Sequence, residues 1–171
     1  MRKITLLSFL LTCSIIVFCQ EEKLVIPWPS ETKWKIGSTQ ENPKQKFVEY
    51  IPEKETIDKW TIIGTMVTFK DYTNIQMDVA KNIVFSESKE NAVDPVLTII
   101  ERGDDAKYPW IIFKIEAATY KNSPAPESQL VYIVQGEDNL YSNLIAIKEK
   151  VLPDEFTAKW TKIFKASSFE H

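Results

Sequence analysis

The stretch Trp60 to Phe69, WTIIGTMVTF, constrains the fold of this chain more than any other. In extended geometry, side chains alternate between the two faces of a strand. Trp60, Ile62 and Met66 then share one face, and Ile63, Val67 and Phe69 share the other. A strand apolar on both faces has to be covered on both sides, so it belongs inside a sheet and not at its edge. Phe47 to Ile51 precedes it as a second strand, stopped by Pro52, and residues 53–59 form a charged turn between the two. Residues 47–72 therefore read as strand, turn, strand, running directly into a helix.

The rest of the chain follows from the same periodicities. Trp34 to Gly37 is a short strand, and the turn-rich loop 38–44 pairs it with Phe47 to Ile51. Thr73-Asn74-Ile75-Gln76 fits a capping box. A helix starting there places Ile75, Val79, Ala80, Ile83 and Val84 on one face, with Asp78, Lys81 and Lys89 opposite. Four strands come next. Val96 to Ile100 is the first. Trp110 to Tyr120 carries Ile111, Phe113, Ile115 and Ala117 on a core side and Lys114 and Glu116 on a wetter side. Leu130 to Val134 and Leu140 to Ile147 are joined by the hairpin signal QGEDN. A last helix opens at Pro153, a residue suited to the first helical position. Asp154 and Glu155 sit at its positive end and Lys159, Lys162 and Lys165 toward its negative end. Phe156, Trp160, Ile163 and Phe164 form its apolar face. The order β-β-β-α-β-β-β-β-α, with hairpin-length connections, predicts an α+β domain: an antiparallel sheet of about six or seven strands with two main helices packed on it.

The N-terminus predicts export. Arg2 and Lys3 precede the apolar run LLSFLLTCSIIVFC, a secretory signal pattern over residues 1–19. The run is shorter than the roughly 20 residues of a spanning helix. Val17 and Cys19 suit the small positions before a cut that leaves Gln20 first; lipidation at Cys19 is the competing outcome, with Phe18 an ill-suited predecessor. Residues 20–32 read as an extended lead-in punctuated by Pro27 and Pro29, and 33–171 as one domain. Both cysteines, Cys13 and Cys19, fall in the signal, so a chain cut there has neither a disulfide nor thiol chemistry. The net charge is −3, and losing Arg2 and Lys3 makes it two units more negative. No basic block marks a nucleic-acid surface, and the negative balance disfavours docking on anionic lipid.

The segment VEYIPEKETIDKWT resembles one that recurs in small exported bacterial proteins, carried here by Glu49, Tyr50, Ile51, Pro52, Glu55, Thr56 and Trp60. The element order resembles the PsbP-like α/β/α sandwich, which includes the periplasmic DcrB-like proteins. The motif spans about a tenth of the chain. The resemblance implies a fold, and with it a tendency to bind or help assemble other proteins; it implies no reaction.

Few residues offer chemistry. The single histidine, His171, is the last residue, so a triad with a fixed imidazole is not on offer. There is no G-x-S-x-G, G-x-G-x-x-G or Walker loop. Glu101, Asp104 and Asp105 lack the spacing of a calcium loop and read as a solvated turn, as do Glu137 and Asp138. Neither a catalytic residue, a metal nor a cofactor is assigned. Trp28, between its prolines, and Tyr108 with Trp110, at a strand start, are the candidate ligand-binding residues; packing on the domain is the competing reading for each. The sequence thus points to an exported, periplasmic or extracellular, non-enzymatic binding or assembly protein. Its partner would be an envelope protein or a small ligand. The alternative is a carboxylate-dependent hydrolase or carbohydrate-binding protein of the envelope.

Overall fold

The structure is a computed structural model that describes residues 21–121 and 125–171. The expected signal over 1–19 and Cys19 lie outside the described residues. Eleven elements follow one another: β1 (Lys23–Val25), β2 (Trp34–Glu41), β3 (Gln45–Pro52), β4 (Ile62–Lys70), α1 (Met77–Asn91), β5 (Val96–Gly103), β6 (Trp110–Ala117), β7 (Glu127–Gln135), β8 (Asn139–Ile147), α2 (Asp154–Lys165) and β9 (Ser168–Glu170). Seven strands form one antiparallel sheet in the order β2-β3-β4-β8-β7-β6-β5, and β1 pairs antiparallel with β9 in a separate two-stranded ribbon. The α+β reading holds, with seven strands and two helices. β4 is an interior strand between β3 and β8, as its two apolar faces require, although the middle position belongs to β8.

The helices lie on opposite faces. On one, Met77 and Ala80 of α1 pack on Ile111, Phe113, Ile115, Val131, Ile133 and Leu140. On the other, Trp160 and Phe164 of α2 pack with Ile112, Leu130, Tyr132, Val134, Tyr141 and Ile145, joined by Leu24 and Ile26 from the N-terminal segment. The lead-in is thus tied into the domain at Lys23–Val25 and by two core side chains. It is also held by Glu22, which is 3% exposed. The Glu22 carboxylate accepts from the Glu137 amide at 2.6 Å, and its backbone carbonyl accepts from Tyr141 Oη at 2.8 Å.

Local readings failed where a long-range partner took over. α1 begins at Met77, behind a Gln76 N-cap with no side-chain cap bond. The capping box at Thr73 is not used because Asn74 sits at φ 57°, which turns the chain before the helix. Gln135, at the end of β7, instead fixes the segment that leads into the helix from across the fold. Its Oε1 accepts from the Ile75 amide at 3.1 Å, and its Nε2 donates to the carbonyls of Tyr72, Gly136 and Asn139. The buried stripe of α1 is accordingly Met77, Ala80 and Ser88, while Val79 and Ile83, expected inside, are 48% and 55% exposed. Trp60 also departs from its expected face. The strand starts only at Ile62, and Trp60 packs beside Ile63 and Ala146, with Lys148 Nζ 4.3 Å above its ring. On β6 the expected wetter side is closed over by α2. Ile112 is fully buried there, and Lys114 pairs with Glu116 at 2.9 Å. Pro153 precedes α2 as its N-cap, one position before the first helical residue.

Candidate functional site

β5 and β6 are joined by the loop 104–109, which carries Tyr108 to the rim of the α2 face. Trp110 opens β6 and pairs in register with Gly103 at the end of β5. That pairing decides where the indole goes. A Cβ on Gly103 would stand 2.7 Å from Trp110 Cε2, so the indole lies flat against the bare backbone of its neighbour. Tyr132 projects from β7, with its ring centroid 6.4 Å from that of Trp110. Phe169, on the short β9 after α2, meets the Tyr108 ring at 4.3 Å and the Tyr141 ring at 5.5 Å. Tyr108, Trp110, Tyr132 and Phe169 together line a cleft of about 440 Å³ between loop 104–109 and the C-terminal end of α2.

The polar groups of the cleft are few and placed. Lys165 Nζ stands 5.5 Å from the Trp110 ring centroid and is paired with Glu101. Ser167 Oγ donates to Tyr132 Oη at 3.2 Å. Burial pushes the Tyr132 hydroxyl up from its ordinary pKa, and the Ser167 bond offsets part of this. Lys107 Nζ donates to Tyr108 Oη at 2.8 Å, which in turn donates to Glu137 Oε1 at 3.0 Å. Hydrogen bonds from Tyr108 and Lys107 hold the Glu137 carboxyl below the usual carboxylate range. The acids that neighbour the cleft's lysines are therefore both engaged, Glu101 with Lys165 and Glu137 with Lys107.

Behind the same loop, on the α1 side, lies a larger recess of about 720 Å³ that shares Lys107 and Tyr108 with the cleft. Its floor is an ionic staple. Arg102 on β5 reaches Asp78 on α1 at 3.2 Å and Asp104 at 2.6 Å. Both carboxylates raise the Arg102 guanidinium further above neutrality, with the Asp104 bond the larger cause. Asp104, weighed from the sequence as part of an oxygen site, is thus the partner of an arginine. Among the described residues, no group of three or more His, Cys, Asp or Glu side chains is arranged to hold a metal.

Trp28 belongs elsewhere. It stands over Gly64 of β4 on the same sheet face, near the opposite edge. Its ring centroid is 5.0 Å from Trp34, 4.9 Å from Tyr50 and 5.7 Å from Trp160. The structure therefore brings Tyr108 and Trp110 into one cleft and leaves Trp28 in a half-buried aromatic cluster. Sequence reasoning missed Tyr132 and Phe169. Alternation along β7 puts Tyr132 on the face of Ile112 and Trp110; no local signal pairs Phe169 with Tyr108. No family model matches the chain, and no curated protein is detectably similar to it. Among the described residues, no helix is long and apolar enough to cross a membrane.

Proposed function

We propose that this chain is an exported, non-enzymatic binding protein and that its working surface is the cleft of Tyr108, Trp110, Tyr132 and Phe169. The carrying observation is four aromatic rings converging on a cavity of about 440 Å³ with a short polar rim. Ligand sites typically hold roughly 300–1,000 Å³, with apolar and aromatic walls and a few fixed polar groups. Such walls suit a ligand with a ring-shaped apolar face and a hydroxyl-bearing edge, the chemistry of a sugar. The engaged state of Glu101 and Glu137 supports binding over hydrolysis, because a glycosidase needs one carboxylic acid and one carboxylate free to face the scissile bond. The signal pattern at residues 1–19 and the resemblance to PsbP-like domains, which mostly bind or assemble, favour the same reading.

The test is an NMR titration of the ¹⁵N-labelled protein with a panel of envelope saccharides. The expected result is a saturable shift of the Trp110 indole N–H and the Phe169 amide, abolished by Trp110→Ala while the rest of the spectrum is retained. Turnover of any of these saccharides, lost on changing Glu101 or Glu137 to glutamine, would overturn the non-enzymatic reading. A panel without one saturable shift at the cleft would overturn the site.

A further inference from the structure

A second cleft lies on the α2 face beyond the β1–β9 ribbon, where α2 does not reach. It measures about 380 Å³, and its floor is the exposed half of β2, β3 and β4. The strand register orders this floor into rows. Glu41, Lys46 and Thr68 stand side by side in the first row. Thr39, Val48 and Met66 form the second. Ile36, Tyr50 and Gly64 form the third, and the Trp28 ring seals that end by resting on Gly64 and Tyr50. Two residues of strand advance roughly 6.8 Å, so the trough runs for about 14 Å from a charged end to an aromatic one. Glu21 to Leu24 wall one side.

Charge is confined to one end. Lys46 and Lys70 share a single carboxylate, Glu41, at 3.5 and 2.5 Å. Lys23 borders the same cleft. Glu21 also lines it, whereas the Glu22 carboxylate is turned into the 136–138 turn. Three lysines thus face two available carboxylates next to an apolar floor.

We infer that this trough binds a free single-chain anionic amphiphile, its acyl chain lying over Val48, Met66 and Tyr50 toward Trp28 and its carboxylate received by Lys46 and Lys70 in place of Glu41. This site is distinct from the Tyr108–Trp110 cleft and stands or falls separately from it. No side chain has to be displaced from the core, and the head group exchanges one carboxylate for another on the same two ammonium groups.

The probe is sodium decanoate below its micellar concentration, added to the ¹⁵N-labelled protein, with decyltrimethylammonium and acetate as controls. Saturable shifts are expected at Leu24, Val48, Tyr50 and Met66, together with a change in tryptophan emission from Trp28. Lys46→Gln combined with Lys70→Gln should weaken decanoate by about tenfold or more, since charge-assisted pairs are the strong ones. Glu41→Gln should tighten it by removing the competing carboxylate. Val48→Trp should block the floor; Lys46→Gln/Lys70→Gln keeps the test open if that variant does not fold. Absence of saturable shifts, equal binding of decyltrimethylammonium, or insensitivity to the lysine and Glu41 changes would overturn the inference. So would binding only to vesicles of anionic lipid and not to decanoate.

Discussion

Gly64→Ala tests how the N-terminal segment is fixed to the sheet. Gly64 is buried in β4 at an ordinary negative φ, so its lack of a side chain matters through space and not through backbone freedom. A Cβ there would lie 2.6 Å from Trp28 Cζ3 and closer still to Cη2. An ordinary carbon contact is roughly 3.5–4.0 Å, so the indole must back away by about 1 Å against Trp34, Tyr50 and Trp160. Overpacking of this kind costs about 1–3 kcal/mol. Replacing a strand glycine recovers about 0.5–1 kcal/mol of chain entropy. The expected net loss is about 1–2 kcal/mol, or roughly 2–8 °C in Tm for a domain of this size. Complete ejection of Trp28 would cost about 3–5 kcal/mol, the usual range for deleting a buried tryptophan. In a Trp28→Ala background the clash is gone, and Gly64→Ala should become neutral or stabilising by about 0.5 kcal/mol. The double-mutant cycle should therefore show a coupling of about 2 kcal/mol. Guanidinium unfolding of the four proteins measures it, with near-ultraviolet circular dichroism reporting the aromatic cluster. An equal cost of Gly64→Ala in both backgrounds would refute the reasoning.

Three further perturbations follow from the same geometry. Gly103→Ala should push the Trp110 indole off the backbone of β5 and weaken any cleft ligand at least tenfold, with little change in stability, as read by NMR titration and thermal melting. Glu22→Ala strands the Glu137 amide, while Tyr141 keeps its bond to the backbone carbonyl at position 22, so it should cost about 1–3 kcal/mol and speed amide exchange at Glu137 and along the β1–β9 ribbon. Glu127 on β7 has its pKa raised from 4.5, chiefly by burial and against the pull of Lys148. The folded chain then holds a proton that the unfolded chain has released, so stability falls as the pH rises from 4.5 through the raised value. Glu127→Gln should be more stable than the parent at pH 7 and equal to it below about pH 4, a difference that urea midpoints across that range will show.

Strands were legible in the sequence where the register is repetitive. β6 has an apolar alternation, and β4 an apolar run on both faces, and each pattern survives an error of one or two residues at the strand ends. α1 was legible as a helix but not in orientation. Its apolar residues, Val79 and Ile83 among them, are spread around the axis, and the residue that fixes its start, Gln135, lies about 60 residues away in sequence. The capping box at Thr73 is a local preference overruled by a buried amide that satisfies four backbone groups. Trp60 shows the same limit: counting alternation back from Ile62 presumes that the strand has begun, and it has not. Tyr108 and Trp110 could be singled out because they flank Pro109 at a strand start. Phe169 could not, since it reaches Tyr108 only through the pairing of β9 with β1.

The places where the clefts open follow from the mismatch between sheet and helices. Seven strands at about 4.8 Å spacing span about 29 Å, whereas one helix with its side chains covers about 10–12 Å. Each helix therefore protects two or three strands, and the chain must cover the remainder with something else. On the α1 face, Trp60 closes over Ile51 and Ile63. On the α2 face, Trp28 and the β1–β9 ribbon fill the gap only in part, and a cleft remains on either side of the ribbon. Both clefts are thus bounded by the β1–β9 ribbon, and fixing that ribbon fixes both. Glu22 is the buried anchor of that ribbon, which is why its replacement should loosen the wall of the decanoate trough and the Phe169 side of the aromatic cleft together, whereas Gly103→Ala should disturb only the latter.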